Sequence, residues 1–186
     1  MITFEEKNYI KSEEIIAKAI KLKPNHAEIY NFYAFVLFNL QKFNLAIKSC
    51  DEAIKLKPKY AEVYNNKGNI LFSLEKNEAA TESYEKAIEI KPNYSDAYNN
   101  RGNSLWKLKK INNALESYKK AIEIKPNHSK AHNNLGMALH KLKKNEAALE
   151  SYERAIKFKP DYAEAHFNKG NTLFDLAKID ASLESY

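Results

Sequence analysis

Residue types that catalyse reactions or bind metals are few in this chain, and their spacing suits neither a metal site nor a catalytic site. Among the five histidines, His128 and His132 are four residues apart and could share one helix face. No cysteine, aspartate or glutamate completes a ligand set at a useful spacing, so we expect no metal site. Cys50, the single cysteine, has no activating neighbour and is interpreted as a buried thiol. Without a nucleophile–base pair or a phosphate loop, we predict no catalytic residue, no cofactor and no enzyme activity.

Asparagines carry a stronger functional signal, because a side-chain amide offers a donor and an acceptor to an extended peptide backbone. They recur in columns spaced by 34 residues. The columns are Asn31, Asn65, Asn99 and Asn133; Asn66, Asn100, Asn134 and Asn168; and Asn69, Asn103 and Asn171. We expect alanine at Asn66, Asn100 and Asn134 to abolish peptide binding and to keep stability, since alanine is the better helix former. The alternative is that the amides join neighbouring repeats.

An aromatic column runs between the amides. Its members are Phe38, Phe72, Trp106, His140 and Phe174. Lys107 and Lys141 each follow a member, and with Trp106 and Phe72 they are predicted to give side-chain preference to a bound peptide. Packing between repeats is an equally good interpretation of the phenylalanines. In residues 27–60, Phe32 and Phe35 replace two asparagines, which predicts either an apolar pocket there or packing of the N-terminal segment around Ile2 and Phe4.

The elements that position these columns follow from the prolines and glycines. Successive prolines from Pro24 to Pro160 lie 34 residues apart, and the glycines from Gly68 to Gly170 keep the same period. In residues 61–94, apolar residues fall at helical spacing on either side of a short turn at Lys76, with Asn77 as the predicted N-cap of the second helix. Such a period predicts a helix pair stacked into an α-solenoid, with tyrosines filling the space beside the glycines.

This pattern resembles the tetratricopeptide repeat, whose motif has a closing proline and small and aromatic residues at fixed places. The matching positions in residues 61–94 are Tyr64, Gly68, Leu71, Ala80, Tyr84, Ala87 and Pro92. Two departures are visible, a cation such as Lys67 before the glycine and a residue such as Glu75 in place of the turn glycine. The resemblance implies an all-α, right-handed superhelical solenoid of antiparallel helix pairs. Its first helices would line a concave groove that holds an extended peptide.

The period divides the chain into one array. It consists of a partial repeat at 1–26, full repeats one to four at 27–60, 61–94, 95–128 and 129–162, and a partial repeat five at 163–186. We expect the array to be part of a longer one, and its uncapped terminal repeats to allow self-association. The peptide groove is predicted to use Asn65, Asn66, Asn69, Phe72, Asn99, Asn100, Asn103, Trp106, Lys107, Asn133, Asn134, Lys141, Asn168 and Asn171.

Charge and composition limit the alternatives. The net charge of +6 would suit RNA, but lysines at the ends of helices also complement helix dipoles. The start of the chain is too acidic for a signal peptide, no apolar run could span a membrane, and we expect a cytoplasmic location. A non-catalytic protein-interaction scaffold is therefore the preferred function. Alternatives are a self-assembly module, a substrate-recruiting arm of a larger enzyme and an RNA-binding helical repeat.

Overall fold

A computed structural model describes residues 4–176, and over that range the chain is helical with short connections. The helices are α1 (Phe4–Leu22), α2 (Ala27–Asn39), α3 (Phe43–Leu56), α4 (Ala61–Ser73), α5 (Asn77–Ile90), α6 (Ser95–Lys107), α7 (Ile111–Ile124), α8 (Ser129–Lys141), α9 (Asn145–Phe158) and α10 (Ala163–Asp175). The predicted all-α class of consecutive helix pairs is confirmed for these residues. The second helix expected for repeat five lies outside the described residues.

The chain divides into two compact units, Met1–Pro92 and Asn93–Tyr186. Within the first unit, α2 packs on α3 and α4 on α5, while α1 packs on α2 and α3 on α4. Within the second unit, α6 packs on α7 and α8 on α9, while α7 packs on α8 and α9 on α10. Each described repeat therefore buries its apolar stripes partly within its own helix pair and partly against a neighbouring repeat.

The predicted close packing beside the glycines is confirmed. A β-carbon built on Gly68 would lie 2.5 Å from Cε1 of Tyr84, and the glycines of repeats three and four meet their own tyrosines in the same way. Tyr84 is 1% exposed, so its ring fills the space that the missing side chain leaves. Repeat one has Ala34 at the glycine position and Cys50 at the tyrosine position, and both are fully buried. The side chain of Cys50 is smaller than that of tyrosine, which leaves room for the methyl group of Ala34.

The turn between the paired helices is closed by a residue in the left-handed conformation. In repeat two, the N–H of Glu75 donates to the carbonyl of Phe72 and that of Lys76 to the carbonyl of Leu71, both at 2.9 Å. The left-handed residues and their φ values are Gln41 (57°), Glu75 (58°), Lys109 (59°) and Lys143 (59°). This conformation costs a non-glycine residue about 1–2 kcal/mol, so packing of the two helices must offset the strain.

The prediction that Asn77 caps α5 is wrong. Lys76 occupies the N-cap position without a side-chain cap hydrogen bond, and Asn77 is the first helical residue, with Nδ2 donating to the carbonyl of Glu75 at 3.2 Å. The N-caps of the other second helices are Lys42, Lys110 and Lys144. A cation there faces the positive end of the second helix, so the dipole does not explain these lysines.

Two lysines that directly precede a repeat glycine or its equivalent, Lys67 and Lys169, form ion pairs. Lys67 Nζ lies 2.7 Å from Asp51 Oδ1, and Lys169 Nζ lies 3.2 Å from Glu153 Oε1, each reaching the second helix of the preceding repeat. The two lysine side chains are 27% and 26% exposed. Their stems can therefore cover apolar surface while the charge stays paired near solvent.

Candidate functional site

The first column of predicted amides lies inside the packed structure. Asn65, Asn99 and Asn133 are 6%, 4% and 0% exposed. Asn133 Nδ2 donates to Glu164 Oε1 of the next repeat at 3.2 Å. A buried amide must be satisfied by the protein itself and is poorly placed to pair with a peptide in solvent. We therefore assign these three asparagines to the contact between repeats and leave them out of the site.

Three half-buried amides of the second column, Asn66, Asn134 and Asn168, form what we call the amide ladder, in which each donates to the first column of the preceding repeat. Asn66 Nδ2 donates to Asn31 Oδ1 at 2.8 Å in the first unit. In the second unit, Asn134 donates to Asn99 at 2.9 Å and Asn168 to Asn133 at 3.0 Å. Asn100 is also half-buried. These bonds favour the interpretation that the amides join repeats, and they change the expectation that alanine there keeps stability.

The third column is tied to the buried tyrosines. The hydroxyl of Tyr84 donates to Asn69 Oδ1 at 2.9 Å, and that of Tyr118 donates to Asn103 Oδ1 at 3.0 Å. Asn171 is half-buried at the equivalent place in repeat five. Because a buried hydroxyl needs a partner, each asparagine fixes the ring that packs on the nearby glycine. In repeat one, Phe35 stands in this column.

In the second unit, a cavity of about 360 Å³ is lined by α6, α8 and α10, together with Lys143 of the turn and Tyr152 of α9. Its walls include three predicted site residues, Trp106, Lys141 and Asn168. Lys107, which directly follows Trp106 and is the last residue of α6, is exposed. Sequence reasoning did not assign His140 or Lys143 to the site, although both line this cavity. His140 Nε2 donates to Asp175 Oδ2 at 2.9 Å, so the ring is held at the cavity wall.

In the first unit, an equivalent cavity of about 120 Å³ lies between α2 and α4. Phe35, Phe38 and Asn66 line it, and Phe35 is 46% exposed. These positions correspond to Met137, His140 and Asn168 in the larger cavity, so the same repeat positions form a pocket twice. The apolar pocket expected in repeat one is therefore present. Phe72, predicted for the same surface, is half-buried against the core around Leu71 and Tyr84.

The N-terminal helix also contacts the pocket in the first unit. The ring of Tyr9 on α1 meets Phe35 edge-on with centroids 6.3 Å apart, and Phe35 stacks on Phe32 at the same distance. The expected packing through Ile2 and Phe4 falls on residues whose side chains lie outside those described. The two interpretations of the phenylalanines in repeat one therefore do not exclude each other.

His128 and His132 have structural roles. His128 is buried, its Nε2 donates to Asp96 Oδ1 at 3.1 Å, and its Nδ1 accepts from the N–H of Ala131 at 3.4 Å. His132 Nε2 lies 2.9 Å from the carbonyl of Pro126, and its ring packs on Phe158 with centroids 5.6 Å apart. The 34-residue period places His132 in the same column as Tyr64 and Tyr98, which predicts ring packing, and the contact with Phe158 confirms it. The single cysteine is also part of the core. Burial raises the pKa of the Cys50 thiol to about 12, so this cysteine stays protonated.

We expect His132 to make the protein less stable in mild acid. Burial lowers the pKa of His132, and the charges of Arg154 and His128 add to that effect against the hydrogen bond to Pro126. The unfolded chain therefore binds the proton more readily. The contribution of neutral His132 is fully present above the unfolded pKa of about 6.5 and is lost as pH falls toward the lower folded pKa.

Replacing His132 with tyrosine, as at Tyr64 and Tyr98, removes this titration. The free energy of unfolding, measured by urea denaturation between neutral and mildly acidic pH, should fall less steeply for His132→Tyr than for the parent. Parallel pH profiles of the two proteins would contradict the expected effect.

None of the helices over residues 4–176 is both long and apolar enough to cross a membrane.

A family model described as TPR repeat matches residues 34–74, 68–109 and 138–177, and models described as tetratricopeptide repeat match 95–128 and 117–150. A comparison with curated protein sequences gives no match.

Several solved structures are similar. The crystal structure of YrrB, described as a TPR protein with an unusual peptide-binding site, is 26% identical with a TM-score of 0.73, covering 93% of this chain and 89% of YrrB. A MamA structure is 24% identical with a TM-score of 0.75, covering 86% of this chain and 94% of MamA. PilF of Pseudomonas aeruginosa is 19% identical with a TM-score of 0.86, covering 97% of this chain and 82% of PilF. The last two show similarity of fold.

Proposed function

The chain belongs to the tetratricopeptide repeat family, and from that membership we propose that it is a non-catalytic scaffold that binds an extended peptide segment along its first helices. One observation carries the proposal. The same repeat positions form a pocket in each unit, with Phe38 and Asn66 in the first and His140 and Asn168 in the second. Pockets at a repeating position suit a partner that presents side chains at intervals along an extended backbone.

Exposed and half-buried side chains at the pockets, and not the buried amides, supply the binding surface. Phe35 and Phe38 offer apolar contact in the first unit, and Trp106 and Lys141 offer apolar and charged contact in the second. Amide groups at the walls, such as Asn168, can orient the peptide through acceptor atoms that the ladder leaves available. The description of YrrB as a peptide-binding TPR protein supports the proposal, at 26% identity.

Panning a random-peptide display library on the immobilised chain tests the proposal. Peptides that enrich are titrated by calorimetry against Phe35→Ala, Trp106→Ala and the control Leu45→Ala. Leu45 lies on α3 and is 48% exposed, close to the 46% of Phe35, so the control removes a similar apolar surface from a second helix. We expect at least one site variant to bind about tenfold more weakly, the loss typical of an aromatic anchor. Equal binding by all three variants would place the peptide elsewhere and refute the proposal.

A further inference from the structure

Two consecutive turns of the second unit carry a concentration of lysines that the other repeats lack. Residues 106–110 read WKLKK and residues 140–144 read HKLKK, where repeats one and two have FNLQK and FSLEK. The six cations are Lys107, Lys109, Lys110, Lys141, Lys143 and Lys144, which we call the lysine cluster. All six are exposed. The cluster borders the larger cavity, since Lys141 and Lys143 are among its lining residues.

Structural needs account for only two members of the cluster. Lys107 and Lys141 lie in the last turn of α6 and α8, where a cation complements the helix dipole. Lys109 and Lys143 occupy the strained left-handed position, and Lys110 and Lys144 stand at N-caps, where a cation is unfavourable.

The cluster has no acidic partner within the part of the chain that the structure describes. Among the ion pairs found over residues 4–176, none involves any of its six lysines. The carboxylate of Asp175, beside the cavity, accepts a hydrogen bond from His140 instead. Six like charges on two adjacent turns repel one another, and an anionic partner would relieve that repulsion.

We propose that the larger cavity and the lysine cluster together bind an acidic peptide segment that presents one large apolar side chain. Trp106 and Met137 form an apolar wall for that side chain, while Lys141 and Lys143 face the carboxylates on either side of it. The inference rests on the proposed function and specifies the chemistry of its partner.

A peptide fits these features better than a nucleic acid does. Single-stranded nucleic acids are held by successive aromatic platforms along a cationic groove. Here the cations are confined to two turns. Of the two large aromatic rings among the described lining residues, Tyr152 is 1% exposed and Trp106 is half-buried, so only Trp106 offers a ring face for stacking. Amide groups such as Asn168 suit a peptide backbone as well.

Fluorescence anisotropy with three blocked peptides tests the inference. Each peptide has one leucine in the middle, flanked by glutamates, by glutamines or by lysines, and capped termini remove the terminal charges. The protein variants are Lys141→Gln with Lys143→Gln, and a control, Lys119→Gln with Lys125→Gln, which removes two exposed lysines on and just after α7. We expect the glutamate peptide to bind at least about tenfold more tightly than the glutamine peptide, and the lysine peptide not to bind.

The site variant should weaken the glutamate peptide about tenfold, or about threefold per lysine, and the control should change it less than about twofold. Raising the salt concentration should weaken the glutamate peptide and leave the glutamine peptide nearly unchanged. Equal affinity for the two peptides, or equal loss in the site and control variants, would overturn the inference. Tighter binding of a uridine dodecamer that displaces the glutamate peptide would also overturn it.

The outcomes separate this inference from the proposed function. If the display library yields neutral peptides that depend on Trp106, the preference for acid fails and the peptide-binding function stands. If neither Trp106→Ala nor Phe35→Ala weakens the binding of any peptide, acidic or neutral, the proposed function itself fails.

Discussion

Replacing Gly68 with alanine should lower the free energy of unfolding by about 2 kcal/mol, within the range of overpacked cores. Helix propensity alone predicts the opposite sign, a gain of about 1 kcal/mol. The clash decides the sign because the new methyl group would lie 2.5 Å from Cε1 of Tyr84. The ring cannot move aside easily, since it is 1% exposed and its hydroxyl donates to Asn69 at 2.9 Å.

A double-mutant cycle measures the coupling. Tyr84→Cys alone should cost about 3–5 kcal/mol through the cavity it leaves. The pair Gly68→Ala with Tyr84→Cys, which copies Ala34 and Cys50 of repeat one, should cost less than the sum by about 1–3 kcal/mol. Urea denaturation gives all the values, with exposed Ser73→Ala as a control expected to change little. Stabilisation by Gly68→Ala alone would show that the ring yields, contrary to this argument.

Replacing Asn134 with alanine should destabilise the protein by about 1–2 kcal/mol. Asn134 Nδ2 donates to Asn99 Oδ1 at 2.9 Å and to Asn103 Oδ1 at 3.0 Å. Asn103 keeps the donated hydrogen bond of Tyr118, but the oxygen of buried Asn99 loses its donor, at a cost of about 1–3 kcal/mol. The better helix propensity of alanine offsets about 0.6 kcal/mol of that loss.

The matched control is Asn112→Ala, on the exposed face of α7, which should stabilise slightly. Urea denaturation of both variants gives the comparison. Equal free energies of unfolding for Asn134→Ala and Asn112→Ala would show that the ladder bond contributes nothing to stability. Because Asn134→Ala is expected to lower stability, any effect of this change on peptide binding must be separated from its effect on folding.

The fold was predictable because its signals are local and repeated. The prolines end the second helices, and the glycines and tyrosines that pack together fall on one period, so each repeat confirms the next. The N-cap at Lys76 was missed because Asn77 is the better capping type, and the left-handed turn before it shifted the boundary by one residue.

The site was less predictable, for a physical reason. An asparagine that binds a peptide and one that bonds to Asn31 or Asn99 in the preceding repeat have the same sequence signature. Only the three-dimensional arrangement shows that Asn65, Asn99 and Asn133 are buried. The side chain of Lys143 reaches the cavity from a residue with left-handed backbone, a conformation that its own residue type does not indicate.

The amide ladder also gives the array a direction. A repeat in the middle carries both a donor and an acceptor, as in Asn134 and Asn133, whereas repeat one has Phe32 at the donor position and repeat five has Phe167 at the acceptor position. Repeat one can thus accept but not donate, and repeat five can donate but not accept. The repeats are consequently not interchangeable modules. A copy of repeat one in place of repeat four would have phenylalanine where Asn134 donates to Asn99, so a rearranged array must keep repeat one out of that place.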